Sequence, residues 1–408
     1  MNCRHCHAPL SRVVIDLGHQ PASNAYIPQD RLLQNEVYAP LKAFVCETCW
    51  LVQLSTAHRS DELFTPDYAY FSSVSKGWVA HARTYAEDVT ARFGLTADDW
   101  VVEVASNDGY LLQFFQAAGI PCTGIEPTAS TASAARAIGI ESIEQFFGAD
   151  FARSLVAERG HASLTAANNV LAHVPDINDF VEGFAILIGE DGVSTFEFPH
   201  LLNLINDCQF DTIYHEHYSY LSLTAVARIF ASKGLRVFDV QKVSTHGGSL
   251  RVFACRESSS AHATTPAVAA VFAEEEAAGV TSPEFYATLA PRAENIKLEL
   301  LEFLVREKKA GKVVAAYGAA AKGNTLLNFA GVHADLISFV CDAAASKQGQ
   351  YLPGSHVPIL HPDALFEHKP DYVIILPWNL KEEVVAQNRG VYEWGGKFVV
   401  AVPNLSIF

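Results

Sequence analysis

The chain has 408 residues, more than one hydrophobic core usually supports, so two or three domains are expected. Half of the residues are hydrophobic and 18% are charged, which excludes a disordered chain. A formal net charge of −16, with 45 acidic against 29 basic residues and no block of Lys and Arg, argues against nucleic acid and anionic membrane as partners.

The N-terminus opens Met-Asn-Cys-Arg-His-Cys, without the apolar stretch of a signal peptide. No later segment reaches the roughly 18 uninterrupted apolar residues of a membrane span, so a cytoplasmic location is expected. Residues 1 to about 60 combine strand-like runs at Arg12 to Leu17 and Ala43 to Leu54 with many turn formers, a unit too small to bury enough surface unaided. Cys3-x-x-Cys6 and Cys46-x-x-Cys49 supply the staple: each knuckle aims two thiolates at one point, and together they complete the four-sulfur shell of a structural zinc ion. A closed shell leaves no place for substrate, so this zinc should not be catalytic. His5, His7 and His19 stand nearby as weaker candidates to replace a sulfur, and Cys122, Cys208, Cys255 and Cys341 are scattered singly among apolar residues as core cysteines.

From about Trp100 to Cys255, β-rich runs alternate with helical stretches: Trp100–Ala105, Cys122–Glu126, Ser163–Asn168, Val193–Phe198, Leu235–Gln241 and Ser249–Cys255. The last two are joined by Lys242-Val-Ser-Thr-His-Gly-Gly, too short for a crossover helix, so they should pair antiparallel. A mostly parallel sheet ending in such a hairpin resembles the class I methyltransferase arrangement. Within it, Val101-Val-Glu103-Val-Ala105-Ser-Asn107-Asp-Gly109 runs from an apolar strand into a tight turn and a helix, like the first cofactor motif of that class. Small residues let the backbone approach the methionine end of a cofactor, and Glu103 can hold its ammonium; Ala105 and Asn107 stand where that motif usually has glycine. Glu126 closes the next strand, where a carboxylate can accept both hydroxyls of a ribose or, more simply, cap a turn. Phe146 and Phe147 are candidates to sandwich an adenine, although adjacent phenylalanines are more often core. His173 follows a strand expected to end at the cofactor edge.

Tyr214-His215-Glu216-His217-Tyr218-Ser219-Tyr220 is a dense polar run directly after an apolar stretch. Its histidines are two apart, not the four of a metalloprotease helix, and in an extended segment they would share one face with Glu216 opposite. A histidine near neutral pKa suits removal of a proton from carbon, with tyrosine hydroxyls or another histidine holding the enolate oxygen. The competing reading is a hydrogen-bonded structural cluster.

Glu257 to Pro266 reads as a linker, and helical periodicity follows to about Lys309. A second alternating unit then begins, with strands expected at Val313–Gly318, Leu336–Asp342, Asp371–Trp378 and Lys397–Pro403. Gly318-Ala-Ala320-Ala-Lys322-Gly323-Asn324 fits Gly-x-Ala-x-x-Gly between strand and helix, Asp342 ends the next strand, and Lys322 adds charge: the geometry for a pyrophosphate and a ribose. The loop alone does not decide between a dinucleotide and the nucleotide end of a substrate.

With Asp16-Leu17-Gly18-x-x-Pro21-x-x-Asn24, Asp67-Tyr68-x-Tyr70-Phe71-Ser72-Ser73, Lys322-Gly323-Asn324-Thr325 and Leu376-Pro377-Trp378-Asn379-Leu380 added, the motifs keep one order almost end to end. Together they resemble the sugar C-methyltransferase family, the NDP-4-keto-deoxysugar C3-methyltransferases typified by the tetronitrose-pathway enzyme. The resemblance implies an α/β architecture: a zinc-binding domain over residues 1–70, a class I S-adenosylmethionine-dependent methyltransferase domain over 71–275, and a Rossmann-like nucleotide-sugar-binding domain over 276–408. It implies His217 as the base at C3 beside Glu216 and Tyr214, Tyr68 and His173 as further active-site positions, and enolate attack on the methyl group of S-adenosylmethionine. A monomer suffices, since three domains can form their own site. The rival readings are an NAD(P)-dependent oxidoreductase using the C-terminal loop, a C-methyltransferase acting on a non-sugar keto compound, and a non-catalytic zinc-ribbon adaptor.

Overall fold

The computed structural model describes residues 1–55 and 71–408, so Tyr68 lies outside the described residues. The N-terminal strands Arg12–Gln20, Ala39–Val45 and Val52–Leu54 form an antiparallel sheet. The single run expected from Ala43 to Leu54 is broken by the second cysteine knuckle: Trp50 takes a left-handed φ of 65° and its N–H returns to the Cys46 carbonyl at 2.8 Å. The fourth strand of this sheet comes from far along the chain, as Ser219–Tyr220 pairs with Val52 and Gln53.

The central sheet has seven strands in the order Leu235–Val243, Ser249–Arg256, Ile188–Pro199, Ala162–Asn168, Val101–Val104, Cys122–Ile125, Glu141–Ile143. Ser249–Arg256 runs antiparallel to both its neighbours and the remaining pairings are parallel, the class I methyltransferase arrangement read from the sequence. Glu141–Ile143 was not anticipated, because three residues are too few for an alternating pattern to register. Strand order reverses between Val101–Val104 and Ala162–Asn168, and open α/β sheets bind ligands outside the carboxyl ends at such a switch point. Phe180, Phe184, Phe196, Phe198 and Phe230, all buried, fill the core on one face of this sheet.

The C-terminal sheet has the order Ile359–Leu360, Val340–Cys341, Val314–Tyr317, Tyr372–Ile375, Lys397–Val400, Ser406–Ile407. The strand expected over Leu336–Asp342 shortens to Val340–Cys341, and the short edge strands Ile359–Leu360 and Ser406–Ile407 are additions. One apolar cluster joins Leu41, Ala43 and Val45 of the N-terminal sheet, Leu201 and Leu204, Phe303 of the helix Leu289–Lys309, and Val314 and Ile374 of the C-terminal sheet. Each such side chain contributes about 1.5–3 kcal/mol by leaving water, so the N-terminal and C-terminal units are bound firmly to each other. The pairing of Ile27–Pro28 with Gln350–Tyr351 adds backbone hydrogen bonds to that contact. Among the described residues, no helix is long and apolar enough to cross a membrane.

Candidate active site

The four knuckle cysteines meet as the sequence requires: one sulfur from each of Cys3, Cys6, Cys46 and Cys49 lies within 4.8 Å of all the others. The two knuckles repeat one backbone device. His7 N–H donates to the Cys3 carbonyl at 3.1 Å and Trp50 N–H to that of Cys46 at 2.8 Å, with left-handed φ of 62° and 65° at the two donors. Four buried or partly buried thiols fit a closed zinc shell, with Gln53 Nε2 donating to Cys3 Sγ at 3.2 Å as its outer support. His5 instead faces Asn178, at 2.8 Å from its Oδ1. Arg4, inside the first knuckle, donates to the carbonyls of Leu54 and Tyr218 at 3.0 and 3.1 Å, so the metal unit holds one end of the Tyr214–Tyr220 run.

At the carboxyl edge of the central sheet, Ala105, Asn107 and Gly109 all take left-handed φ, of 58°, 50° and 80°. The turn thus keeps a glycine-type backbone with two side chains present, tolerable for Asn and strained for Ala. Gly124 makes room for it: a Cβ there would stand 2.3 Å from Ser106 Oγ. Glu126 accepts from Asn107 N–H and Thr128 N–H, both at 2.9 Å, and Asn107 Oδ1 accepts from Ser72 N–H at 2.9 Å. Glu103 is fully buried below this turn, and its carboxyl is pushed well above its ordinary value by burial, with Asp108 and Glu126 adding repulsion. Asp108 Oδ1 and both amide atoms of Asn169 are buried with no hydrogen-bond partner among the described residues. A group of acids and unsatisfied amides at the switch point fits the ammonium, carboxylate and ribose of S-adenosylmethionine, which Glu103, the Ala105–Gly109 turn and Glu126 would hold. Glu126→Ala should weaken S-adenosylhomocysteine binding about 10- to 100-fold by titration calorimetry, the size expected for losing hydrogen bonds to a charged group. Phe147 packs edge-on against Phe180 at 5.7 Å and belongs to the core, whereas Phe146 stands exposed. The surface hollow lined by Trp100, Cys122, Thr123, Glu141 and Arg159 lies at the opposite, amino edge of the sheet.

The run after Ile213 is a turn, not the extended segment expected: His217 N–H donates to the Tyr214 carbonyl at 2.9 Å. The turn separates the two histidines. His215 is buried with Nε2 3.3 Å from the Ala39 carbonyl, while His217 packs tilted against Tyr214 at 3.9 Å and meets His173 edge-on at 4.5 Å. His217 Nδ1 lies 2.9 Å from the Thr212 carbonyl. A carbonyl only accepts, so Nδ1 carries the hydrogen and Nε2 is the basic nitrogen. Burial drives the His217 imidazole well below its ordinary value, helped by His173, Lys322 and His246, and burial brings His173 to about 4. Glu216 is buried with both oxygens 2.8 Å from Asn24 Nδ2, and burial raises it to about 7. Asn24 lies in the Asp16–Asn24 motif of the N-terminal unit, so that unit supports the site directly.

The sequence reading passed over a second set of residues. Glu197 accepts from Thr245 at 2.9 Å, from Arg251 at 2.7 Å and from His81 Nε2 at 2.8 Å. Burial acts to raise this carboxyl, but His81, Arg251 and Thr245 together bring it down to about 2. Trp78 stacks on His81 at 5.0 Å and on Tyr110 at 5.9 Å, and meets His246 edge-on at 5.3 Å. His246 takes a left-handed φ of 53° in the hairpin turn, and a Cβ on Gly247 would stand 2.6 Å from the Trp378 ring. The His-Gly-Gly sequence was the available signal, read only as a turn.

The C-terminal loop repeats the device of the first. Asp342 accepts from Ala319 N–H at 2.7 Å and Ala344 N–H at 2.8 Å, as Glu126 does from Asn107 and Thr128. Here, however, residues of other elements pack against the loop. A Cβ on Gly318 would meet Pro377 at 2.4 Å, Tyr26 donates to the Ala319 carbonyl at 2.6 Å, and Asn324 Nδ2 donates to the Ser23 carbonyl at 2.6 Å. Lys322 alone of the expected nucleotide residues turns toward the His217 turn: its ammonium lies 4.7 Å over the Trp378 ring and 3.1 Å from Asn379 Oδ1.

Comparison with known proteins gives three matches along the chain. Residues 3–64 match a zinc binding domain, 78–240 a methyltransferase domain and 244–403 a C-methyltransferase C-terminal domain. The C-methyltransferase NovU of Streptomyces niveus is 36% identical over 98% of this chain and 95% of its own length. Among solved structures, PH0226 protein from Pyrococcus horikoshii OT3 matches with a TM-score of 0.38 and 12% identity, over 49% of this chain and all of its own. Magnesium protoporphyrin IX methyltransferase from Synechocystis PCC 6803 matches at 0.32 and 16%, over 44% and 81%. Both scores are too low for either structure to speak to the chemistry of this chain.

Proposed function

This chain belongs to the C-methyltransferase family, and on that premise we propose that it methylates C3 of an NDP-4-keto-deoxysugar. The observation that carries the reading is the His217 tautomer: with Nδ1 committed to the Thr212 carbonyl, Nε2 is a neutral base among Tyr214 and His173. A proton beside a ketone is acidic enough for an imidazole once the forming oxyanion is stabilised, whereas a proton on an isolated sugar carbon is not. Proton transfer from C3 to Nε2 leaves a nucleophilic carbon. S-adenosylmethionine, held at the Ala105–Gly109 turn and Glu126, supplies an electrophilic methyl group.

The three units divide the work. Residues 1–70 carry the zinc and Asn24, residues 71–275 the methyl donor and the base, and residues 276–408 face the nucleotide end of the substrate. Gly318 and Asn324 are engaged in contacts between elements, whereas Asp342, held by two backbone N–H groups as Glu126 is, is assigned to the nucleotide's ribose. Each component comes from one chain, in keeping with a monomer.

The test is direct. Incubated with S-adenosylmethionine and dTDP-4-keto-6-deoxyglucose, the protein should give a product heavier by one methyl group, with the new carbon bonded to C3 by NMR. It should also gain several degrees of thermal stability from S-adenosylhomocysteine and none from NAD, because a methyl donor and not a hydride carrier is its cofactor. Methylation on oxygen or nitrogen, or a shift with NAD alone, would refute the reading.

A further inference from the structure

We propose that Lys322 is a catalytic residue of this site, the cation that stabilises the enolate oxygen as C3 is deprotonated. This rests on the keto-sugar reading above and moves Lys322 from the nucleotide phosphates to the reacting centre.

Four features single it out. Lys322 lies in the first turn of the helix Ala321–Ala330, where the helix dipole opposes a positive side chain. Among the described residues it forms no salt bridge; its polar contact is the neutral amide of Asn379, and its ammonium rests on the Trp378 ring. The nearby carboxylate, Asp211, accepts from Trp378 Nε1 on Oδ2 at 2.7 Å and supports Lys322 through its charge without a salt bridge. That Trp378 ring also packs against Gly247, next to His246, while the residue after Asp211, Thr212, holds the catalytic imidazole through its carbonyl. The ammonium is thus tied through one indole to both turns that carry the site's histidines.

A half-buried ammonium whose neighbouring carboxylate, Asp211, makes no salt bridge with it is stabilised further when an anion arrives. The surrounding charges fit a transient anion. Burial lowers the Lys322 ammonium, and its charge in turn disfavours protonation of His217 and His246. Protonated His217 beside Lys322 would be a repulsive pair. When the C3–H bond breaks, the proton passes to His217 Nε2, the bonding pair becomes the C3=C4 double bond, and the carbonyl pair moves onto oxygen. The resulting oxyanion offsets both positive charges at once, so Lys322 favours proton transfer only as the enolate forms.

Solvent-deuterium exchange at C3 of dTDP-4-keto-6-deoxyglucose, followed by NMR with S-adenosylhomocysteine present, reads this step without methyl transfer. Lys322→Met should slow exchange at saturating sugar about 100-fold or more, the scale of losing an oxyanion contact. Binding of dTDP should remain within about twofold of wild type, because the diphosphate is not its partner. The acidic limb of the exchange rate should move to higher pH as His217 regains basicity, a change that a packing defect alone would not produce. Lys322→Arg should recover part of the rate, and Lys322→Gln serves if the methionine variant does not fold. Wild-type exchange in the neutral variants would overturn the proposal, as would a loss confined to dTDP affinity. Absence of exchange in the wild-type enzyme would overturn the keto-sugar reading, and the enolate role with it.

Discussion

His217→Asn should lower kcat about 10³- to 10⁴-fold, the upper range for a general base, while S-adenosylhomocysteine binds as before. Asparagine can still donate to the Thr212 carbonyl and fill much of the space beside Tyr214 and His173, so the turn should survive without its basic nitrogen. In the wild-type enzyme the acidic limb of kcat/KM should lie below pH 6.5, because burial and the neighbouring positive charges hold this imidazole well under that ordinary histidine value. The sign follows from the form required: neutral His217 is active, a depressed pKa keeps it neutral to lower pH, and activity is lost only as pH falls through that value. Turnover within tenfold of wild type in the asparagine variant would place the base elsewhere. Stopped turnover with preserved ligand binding, by rate measurement and calorimetry, is the expected pair of results.

Cys46→Ser should cost the protein its zinc and most of its soluble folded yield. Structural zinc contributes about 10–16 kcal/mol of apparent binding energy in small metal domains, as much as the whole stability of an ordinary domain at about 5–15 kcal/mol. Cys46 is buried beside Cys6, with 3.5 Å between their sulfurs, and a serine hydroxyl is a poor replacement for a thiolate at such a metal. The damage should reach the site. Arg4 follows directly on Cys3 and holds the carbonyls of Leu54 and Tyr218, so loosening the first knuckle frees the strand Ser219–Tyr220 and the turn before it. Metal content by mass spectrometry and the melting temperature check both points. A metal-free variant as stable and active as wild type would be incompatible with a structural zinc site.

Sequence spacing located the cysteine knuckles because a metal shell constrains residue types and local separations, both visible in a linear string. It located the Ala105–Gly109 turn despite missing glycines, since an apolar strand, a tight turn and an acid one strand later are all local features. The same local logic did not show what surrounds the C-terminal loop. Its glycines, acid and helix are arranged as expected, yet Tyr26, Ser23 and Pro377 pack against it from other elements. Those residues lie hundreds of positions away or beyond a separate strand, and no window of sequence brings them to the loop. His215 and His217 show the same limit at short range: alternation in an extended strand puts them together, and one backbone hydrogen bond from His217 to Tyr214 sends them apart.

The sequence by itself determined the zinc ligands, the alternating α/β units, the class of the central sheet and the polar run around His217, because periodicity, spacing and residue chemistry are properties of neighbours in the chain. Only the tertiary structure decided which histidine nitrogen is basic, that Asn24 braces Glu216, and that Lys322 with Trp378 and His246 stands beside the turn. Those relations depend on three units packing through a shared apolar core and a strand borrowed across the chain. Such long-range contacts are set by the balance of burial over the whole molecule, and no local pattern encodes that balance.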